Sequence, residues 1–208
     1  MLSVFTDGTF PPCPAPFNLA EYVLSAGHKD SDKEALRILH ADTIESWRYG
    51  DLKRAVLGTA CGLLSHGLHA GDIVLLRLGN TVDFPLAYLG ALAAGLVPVP
   101  TAAALTESET CKLIDILNPA AILRDPAVSC APHNDIIPLA DVRRWRNLPP
   151  VAFHMGDPDR LGYVVFTSGT SGLPRAVGHA HRAIWARQMM FDGWYGLGSS
   201  DRLLHAGA

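Results

Sequence analysis

The sequence predicts an α/β fold: a mainly parallel sheet with flanking helices. Three observations carry that expectation. Apolar runs of strand length alternate with helical patterns from Leu52 to Leu139. One run, Ile73–Leu78 (IVLLRL), is apolar almost throughout, as strands buried on both faces are. With 49% hydrophobic and 18% charged residues in 208, the chain can bury a substantial core.

Residues 1–16 hold four prolines and read as an extended lead-in. Phe17 to Ala26 suits a short helix. Ala35–Leu39 and Ile44–Tyr49 are β-rich and flank Ala41-Asp42, a hairpin pattern. Leu52, Ala55, Val56, Ala60, Leu63 and Leu64 recur at helical spacing, and Gly67 stands where a left-handed helix end is expected. Gly71-Asp72 turns the chain into Ile73–Leu78. Asp83 is placed to cap the next helix and Pro85 falls in its first turn. That helix is apolar on all sides, so both of its faces should be covered. Val97–Val99 is a short strand. Thr106 and Glu109 have capping-box spacing before a helix reaching about Leu117. Ala120–Leu123 and Asp135–Leu139 follow as strands, and the alternation implies right-handed crossovers. Asp141 to Arg160, with Arg143, Arg144 and Arg146, reads as a solvated loop or short helix rather than an anion site. No internal repeat or low-complexity tract interrupts the pattern.

Composition narrows the partners. Seventeen Lys and Arg against twenty Asp and Glu leave a net charge of −3, so no basic excess exists to neutralise nucleic acid. Cys13, Cys61, Cys111 and Cys130 form no CxxC pair and read as small buried residues in a reducing compartment. The longest apolar stretch, Phe84 to Pro100, is broken by Gly95 and Pro98. That leaves a helix too short to span a membrane. The N-terminus has no basic region or apolar run of a secretion signal, which points to the cytoplasm.

The chemistry concentrates after Leu161. Gly162 to Phe166 has strand composition and is expected to be buried. Thr167, Ser168, Gly169, Thr170, Ser171 and Gly172 follow directly, as an expected exposed connection closed by Leu173, Pro174 and Arg175. Glycines let the backbone approach an anion and let successive N–H groups converge on it. Hydroxyls add donors, and Arg175 adds a fixed charge with a planar fork. The pattern is neither a Walker A loop nor a dinucleotide fingerprint. A Ser/Gly linker is the bland alternative, but linkers seldom follow a strand as apolar as YVVF. Arg182 to Phe191 then resumes a helical pattern.

At these residues the sequence resembles a known family. TSGTSGLPR is similar to the phosphate-loop signature of the adenylate-forming superfamily: acyl- and aryl-CoA synthetases, luciferases and the adenylation domains of peptide synthetases. SWRYGDLKRAV, GLLSHGLHAGDIVLL and NTVDFPLAYLGALAAGLVPVP resemble the family's earlier helices and strands, and HAHRAIWARQMMF and DRLLHAGA its coenzyme A ligase branch. Two positions depart from the pattern. Arg175 stands for the usual lysine, and Ala176 for a common glycine.

The resemblance implies ATP-dependent activation of a carboxylic acid to an acyl-AMP, then thioester formation with coenzyme A: an acid–thiol ligase. Thr167 to Gly172 and Arg175 would hold the β- and γ-phosphates, which Mg²⁺ would bridge. Family members are well over twice as long. The resemblance therefore implies a partial AMP-binding domain over residues 1–208, without the C-terminal half and the small C-terminal domain. The adenine contact, the ribose aspartate and the catalytic lysine are expected beyond residue 208. It also implies that strands such as Ile73–Leu78 and Gly162–Phe166 lack neighbours. A non-catalytic anion-binding or interaction module is the alternative from another class. An unrelated phosphotransferase is a third, weakened by the matching stretches on both sides of the loop.

Other candidates are weaker. His179 and His181, spaced i, i+2 as on one face of a strand, lack the further ligands a metal needs and read as packing or backbone hydrogen-bonding groups. His205 reads as a core histidine. Trp185, Trp194 and Tyr195 read as core, with an acyl pocket as the alternative.

Overall fold

The computed structural model describes residues 11–168, 174–198 and 200–204. The first described helix is α1, Leu19–Leu24, followed by a 3₁₀ turn, Ser25–His28. The side chain of Asn18 caps α1, accepting from Ala20 N–H and Glu21 N–H. Strands β1, Glu34–Leu39, and β2, Ile44–Arg48, form the expected antiparallel hairpin. Helix α2 covers Tyr49–Ser65 and ends as anticipated, with Gly67 at φ 102°.

A four-stranded parallel sheet forms the centre. Its strands are β3, Ile73–Arg77; β4, Val97–Pro100; β5, Ala121–Arg124; and β6, Ile136–Pro138. Their spatial order is β4-β3-β5-β6. The connecting helices are α3, Asp83–Ala93, and α4, Glu107–Leu117; α5, Leu139–Trp145, follows β6. The capping box of α4 is made: Thr106 Oγ1 accepts from Glu109 N–H, and the Glu109 carboxylate accepts from Thr106 N–H at 2.8 Å.

Strand periodicity divides the core in two. Val74 and Leu76 of β3, with Ala121 and Leu123 of β5, face a large cluster that includes residues of α2, α3 and α5. Leu75, Ile122, Val97 and Val99 face the other side, where Ile114 and Leu117 of α4 pack. Strand β3 is hydrogen-bonded on both sides, so the expectation that Ile73–Leu78 lacks neighbours is not met. Helices α2 and α5 touch closely. A Cβ on Gly62 would lie 2.1 Å from Trp145 Cγ, so only glycine lets α5 settle there.

The last described elements are a second antiparallel hairpin, β7, Leu161–Ser168, with β8, Pro174–Ala180, and then α6, Ala183–Trp194. Strand β7 lies beside β4, and its Val164 and Phe166 join the smaller cluster. Gly162 and Val164 are buried, and Tyr163, Val165 and Phe166 half-buried.

Several sequence expectations need correction. Asp83 is not a helix cap: Val82 holds that position, and the Asp83 carboxylate is 2% exposed and ion-paired. Of the cysteines only Cys130 is buried. Cys13 and Cys61 are half-buried and Cys111 is exposed on the polar side of α4; all four are free. Trp194 and Tyr195 are 84% and 62% exposed because the C-terminal end of α6 faces solvent, whereas Trp185 is half-buried. His205 lies outside the described residues. No helix among the described residues is long and apolar enough to cross a membrane.

Candidate functional site

In an open parallel sheet, ligands commonly bind where the strand order reverses, outside the carboxyl ends of the strands. Here β4 lies on one side of β3 and β5 on the other, so the reversal falls between β3 and β5. Arg77, the last residue of β3, fills that crevice and is fully buried. Its Nε and Nη2 donate to Ser129 C=O at 3.0 and 2.5 Å. Nη1 donates to Thr101 Oγ1 and Ala102 C=O, and Nη2 also reaches Ala103 and Leu105 C=O. Burial pulls its pKa down, with the neighbouring Arg124 adding to the effect. Every donor of this guanidinium is spent on holding the loops after β4 and β5. Arg77 therefore offers no free donor to a phosphate at the reversal point.

The arginine-rich stretch after β6 is structural as well. Arg143 Nε and Nη2 donate to the two oxygens of Asp83 at 3.1 and 2.7 Å, and Arg146 Nη2 donates to Asp83 Oδ1. Thr81 Oγ1 donates to Asp83 Oδ2. The reading of this segment as a solvated face holds for Arg144 but not for Arg146, whose side chain is 15% exposed. A buried carboxylate on α3 needed partners, and α5 and the residue after it supply them.

The β7–β8 hairpin is built differently. Thr167 and Ser168 belong to β7, opposite Arg175 and Pro174 of β8, so the strand runs two residues further than expected. β-branched Thr167 suits that extended backbone. Thr167 and Arg175 are both exposed at the end of the ladder. Among the described residues no carboxylate pairs with Arg175. Gly169, Thr170, Ser171 and Gly172 lie outside the described residues, as does the side chain of Ser168.

The other end of this hairpin is held firmly. His179 stacks on Tyr163, with ring centroids 4.7 Å apart and planes 10° from parallel. His181, just past β8, is fully buried. Its Nδ1 accepts from Leu19 N–H at 3.0 Å, so the proton of the neutral ring sits on Nε2, which is buried and meets no acceptor among the described residues. Burial, Arg160 and His154 push the His181 pKa down to about 4. Arg160 ties Phe17, Asp157 and His154 carbonyls into the same junction, and Asn18 Nδ2 donates to Leu92 and His154 C=O. The packing and backbone-bonding reading of the two histidines therefore holds, but His181 lies outside the strand. Sequence reasoning missed Arg77 and the Asp83 cluster. The available signal was a charge inside an otherwise apolar run, which burial obliges the fold to satisfy. No group of three or more His, Cys, Asp or Glu side chains with metal-binding geometry occurs among the described residues.

Residues 24–207 match the AMP-binding enzyme family. The chain belongs to that family of adenylate-forming enzymes. The chain is 29% identical over 163 residues to 4-hydroxybenzoate-CoA/benzoate-CoA ligase of Rhodopseudomonas palustris, covering 70% of this chain and 30% of that ligase. It is 32% identical over 160 residues to phenyloxazoline synthase MbtB of Mycobacterium tuberculosis, covering 75% of this chain and 11% of the synthase. Its fold matches a benzoate CoA ligase from Burkholderia xenovorans with a TM-score of 0.73 at 21% identity, over 89% of this chain and 39% of that one. It matches apo MatB from Rhodopseudomonas palustris with a TM-score of 0.74 at 20% identity, over 88% of this chain and 38% of that one. At such identities the structural likeness speaks for the fold alone. The chain thus spans less than a third of the length of either the ligase or the synthase.

Proposed function

We propose that this protein takes part in ATP-dependent activation of a carboxylic acid to an acyl-AMP, followed by thioester formation with coenzyme A in the cytoplasm. In this reading Thr167, Ser168, Gly169, Thr170, Ser171, Gly172 and Arg175 hold the β- and γ-phosphates of MgATP. The observation that carries it is the hairpin's two ends: a packed, hydrogen-bonded base, and a tip where Arg175, which meets no carboxylate among the described residues, faces a threonine. Hydroxyl and guanidinium donors fit a polyphosphate. Mg²⁺ arrives with the nucleotide as part of the substrate.

The chemistry needs such a tip. A carboxylate attacking the α-phosphate brings negative charges together, and donors fixed in advance offset that repulsion as pyrophosphate leaves. The aryl-CoA ligase relatives favour coenzyme A as the acceptor; the relatives also include nonribosomal peptide synthetases, such as the probable synthetase CymA of Salinispora arenicola, which keep a different acceptor open.

The test is carboxylate-dependent exchange of pyrophosphate into ATP, run beside a direct MgATP titration. The 208 residues on their own are expected to bind MgATP weakly and to show no exchange. Phosphate contacts alone leave the adenosine and the acid unoriented, and that orientation accounts for about 7–11 kcal/mol of barrier. No MgATP binding at millimolar nucleotide would overturn the phosphate assignment. Robust exchange would instead move the chemistry into the strands and helices that carry the loop.

A further inference from the structure

A second crevice lies one strand away from Arg77, outside the carboxyl ends of β5 and β6. It is an open cleft of about 460 Å³ lined by eight residues, five of them apolar. Pro126, Ile136 and Leu139 form most of its walls, and Arg124, Asp125 and Arg143 supply its charge.

The three charged residues are not equivalent. Arg143 is committed to Asp83 by two hydrogen bonds. Asp125 Oδ1 accepts from Ala127 N–H at 2.9 Å, which closes its own turn. Arg124 has no such commitment. It is half-buried at the end of β5, and its buried Nε meets no acceptor among the described residues. Among the described residues no carboxylate pairs with it. It is also the register partner of the buried Arg77, so two guanidinium groups stand side by side at the carboxyl edge of the sheet. Counting Arg77 and also Arg146, which shares Asp83, four arginines in and around the cleft face two aspartates, so positive charge is in excess there, and of the four Arg124 is the one whose donors are uncommitted among the described residues.

We propose that this cleft is a binding site for a small monocarboxylate with a compact apolar body, held by the Arg124 guanidinium. One planar fork matches one carboxylate. Apolar walls around a few polar groups are the usual make-up of a small-molecule site. A phosphate dianion would bring two charges to a single uncommitted fork beside Asp125, and it would leave the walls without an apolar partner. The site is separate from the β7–β8 tip and does not depend on the phosphate reading.

The experiment is an NMR titration of the nitrogen-labelled arginine side chains of the 208-residue chain, with benzoate, benzamide and inorganic phosphate as probes. Benzoate is expected to move the Arg124 signal saturably, and benzamide and phosphate to leave it in place. Arg124→Gln should weaken benzoate binding about tenfold or more, read on the Arg143 signal, because a charge-assisted pair becomes a neutral one. Arg124→Lys, which keeps the charge without the fork, should fall between the two. Arg175→Ala should bind benzoate as the parent does. Equal response to benzamide, or benzoate binding that survives Arg124→Gln, would overturn the proposal. Preferential saturation by phosphate would overturn it too, as would loss of benzoate binding through Arg175→Ala.

Discussion

The carboxyl edge of the parallel sheet and the tip of the β7–β8 hairpin each present an arginine, and they use it in opposite ways. Arg77 is fully buried and spends its donors on four carbonyls and one hydroxyl of the loops around it. Arg175 is exposed, and no described carboxylate meets it. The first is a cross-link that happens to be charged. The second is an exposed charge, which we propose serves the phosphates of a nucleotide. The place where a parallel sheet usually binds its ligand is therefore closed in this molecule. The candidate phosphate site has moved to an antiparallel hairpin whose fixed end lies in a buried polar junction.

The sharpest way to break this comparison is to remove the buried cation. Arg77→Met strands five acceptors in an apolar setting and should cost about 3–5 kcal/mol in urea unfolding. A loss below about 1 kcal/mol would mean that the loops do not depend on the guanidinium.

The base of the hairpin is probed by pH. An unfolded His181 takes up its proton near pH 6.5, and the buried one only near pH 4. Between those values the unfolded chain holds more protons, so stability falls as pH drops through that window and is level above it. The full loss is on the order of 3 kcal/mol. Plotting urea midpoints against pH should show this slope flattened in His181→Asn, and an unchanged slope would contradict the assignment.

Packing behind the sheet comes next. Gly62→Ala drives a methyl into the Trp145 ring and should cost about 1–3 kcal/mol by thermal melting. Gly67, whose left-handed backbone has open space around it, tests conformation without that clash.

Much of the parallel unit was legible because its signals are local. The capping box at Thr106 and the glycine after α2 each specify a helix end through neighbours a few residues away. Ile73–Leu78 announced a doubly buried strand by composition alone. What escaped depends on partners far along the chain. Asp83 looked like a cap because Arg143 and Arg146, 60 and 63 positions later, cannot be placed beside it from spacing. His181 meets Leu19 across 162 residues. The antiparallel return of β8 was hidden by a Ser/Gly run that reads as loop. The spacing of His179 and His181 suggested a strand there, but nothing in PRAVGHA showed that it begins at Pro174 or pairs back onto β7. Of the candidate site, the residue types were readable and the cross-strand pairing of Thr167 with Arg175 was not.

Whether Arg175 serves a ligand rather than the fold is tested most directly by titrating MgATP into the parent chain and into Arg175→Ala, with urea unfolding of both. The expected result is binding weakened about tenfold, as loss of one charge-assisted contact implies, with stability unchanged within about 0.5 kcal/mol. Unaltered MgATP affinity in Arg175→Ala would contradict a ligand role, as would a loss of stability comparable to that of Arg77→Met.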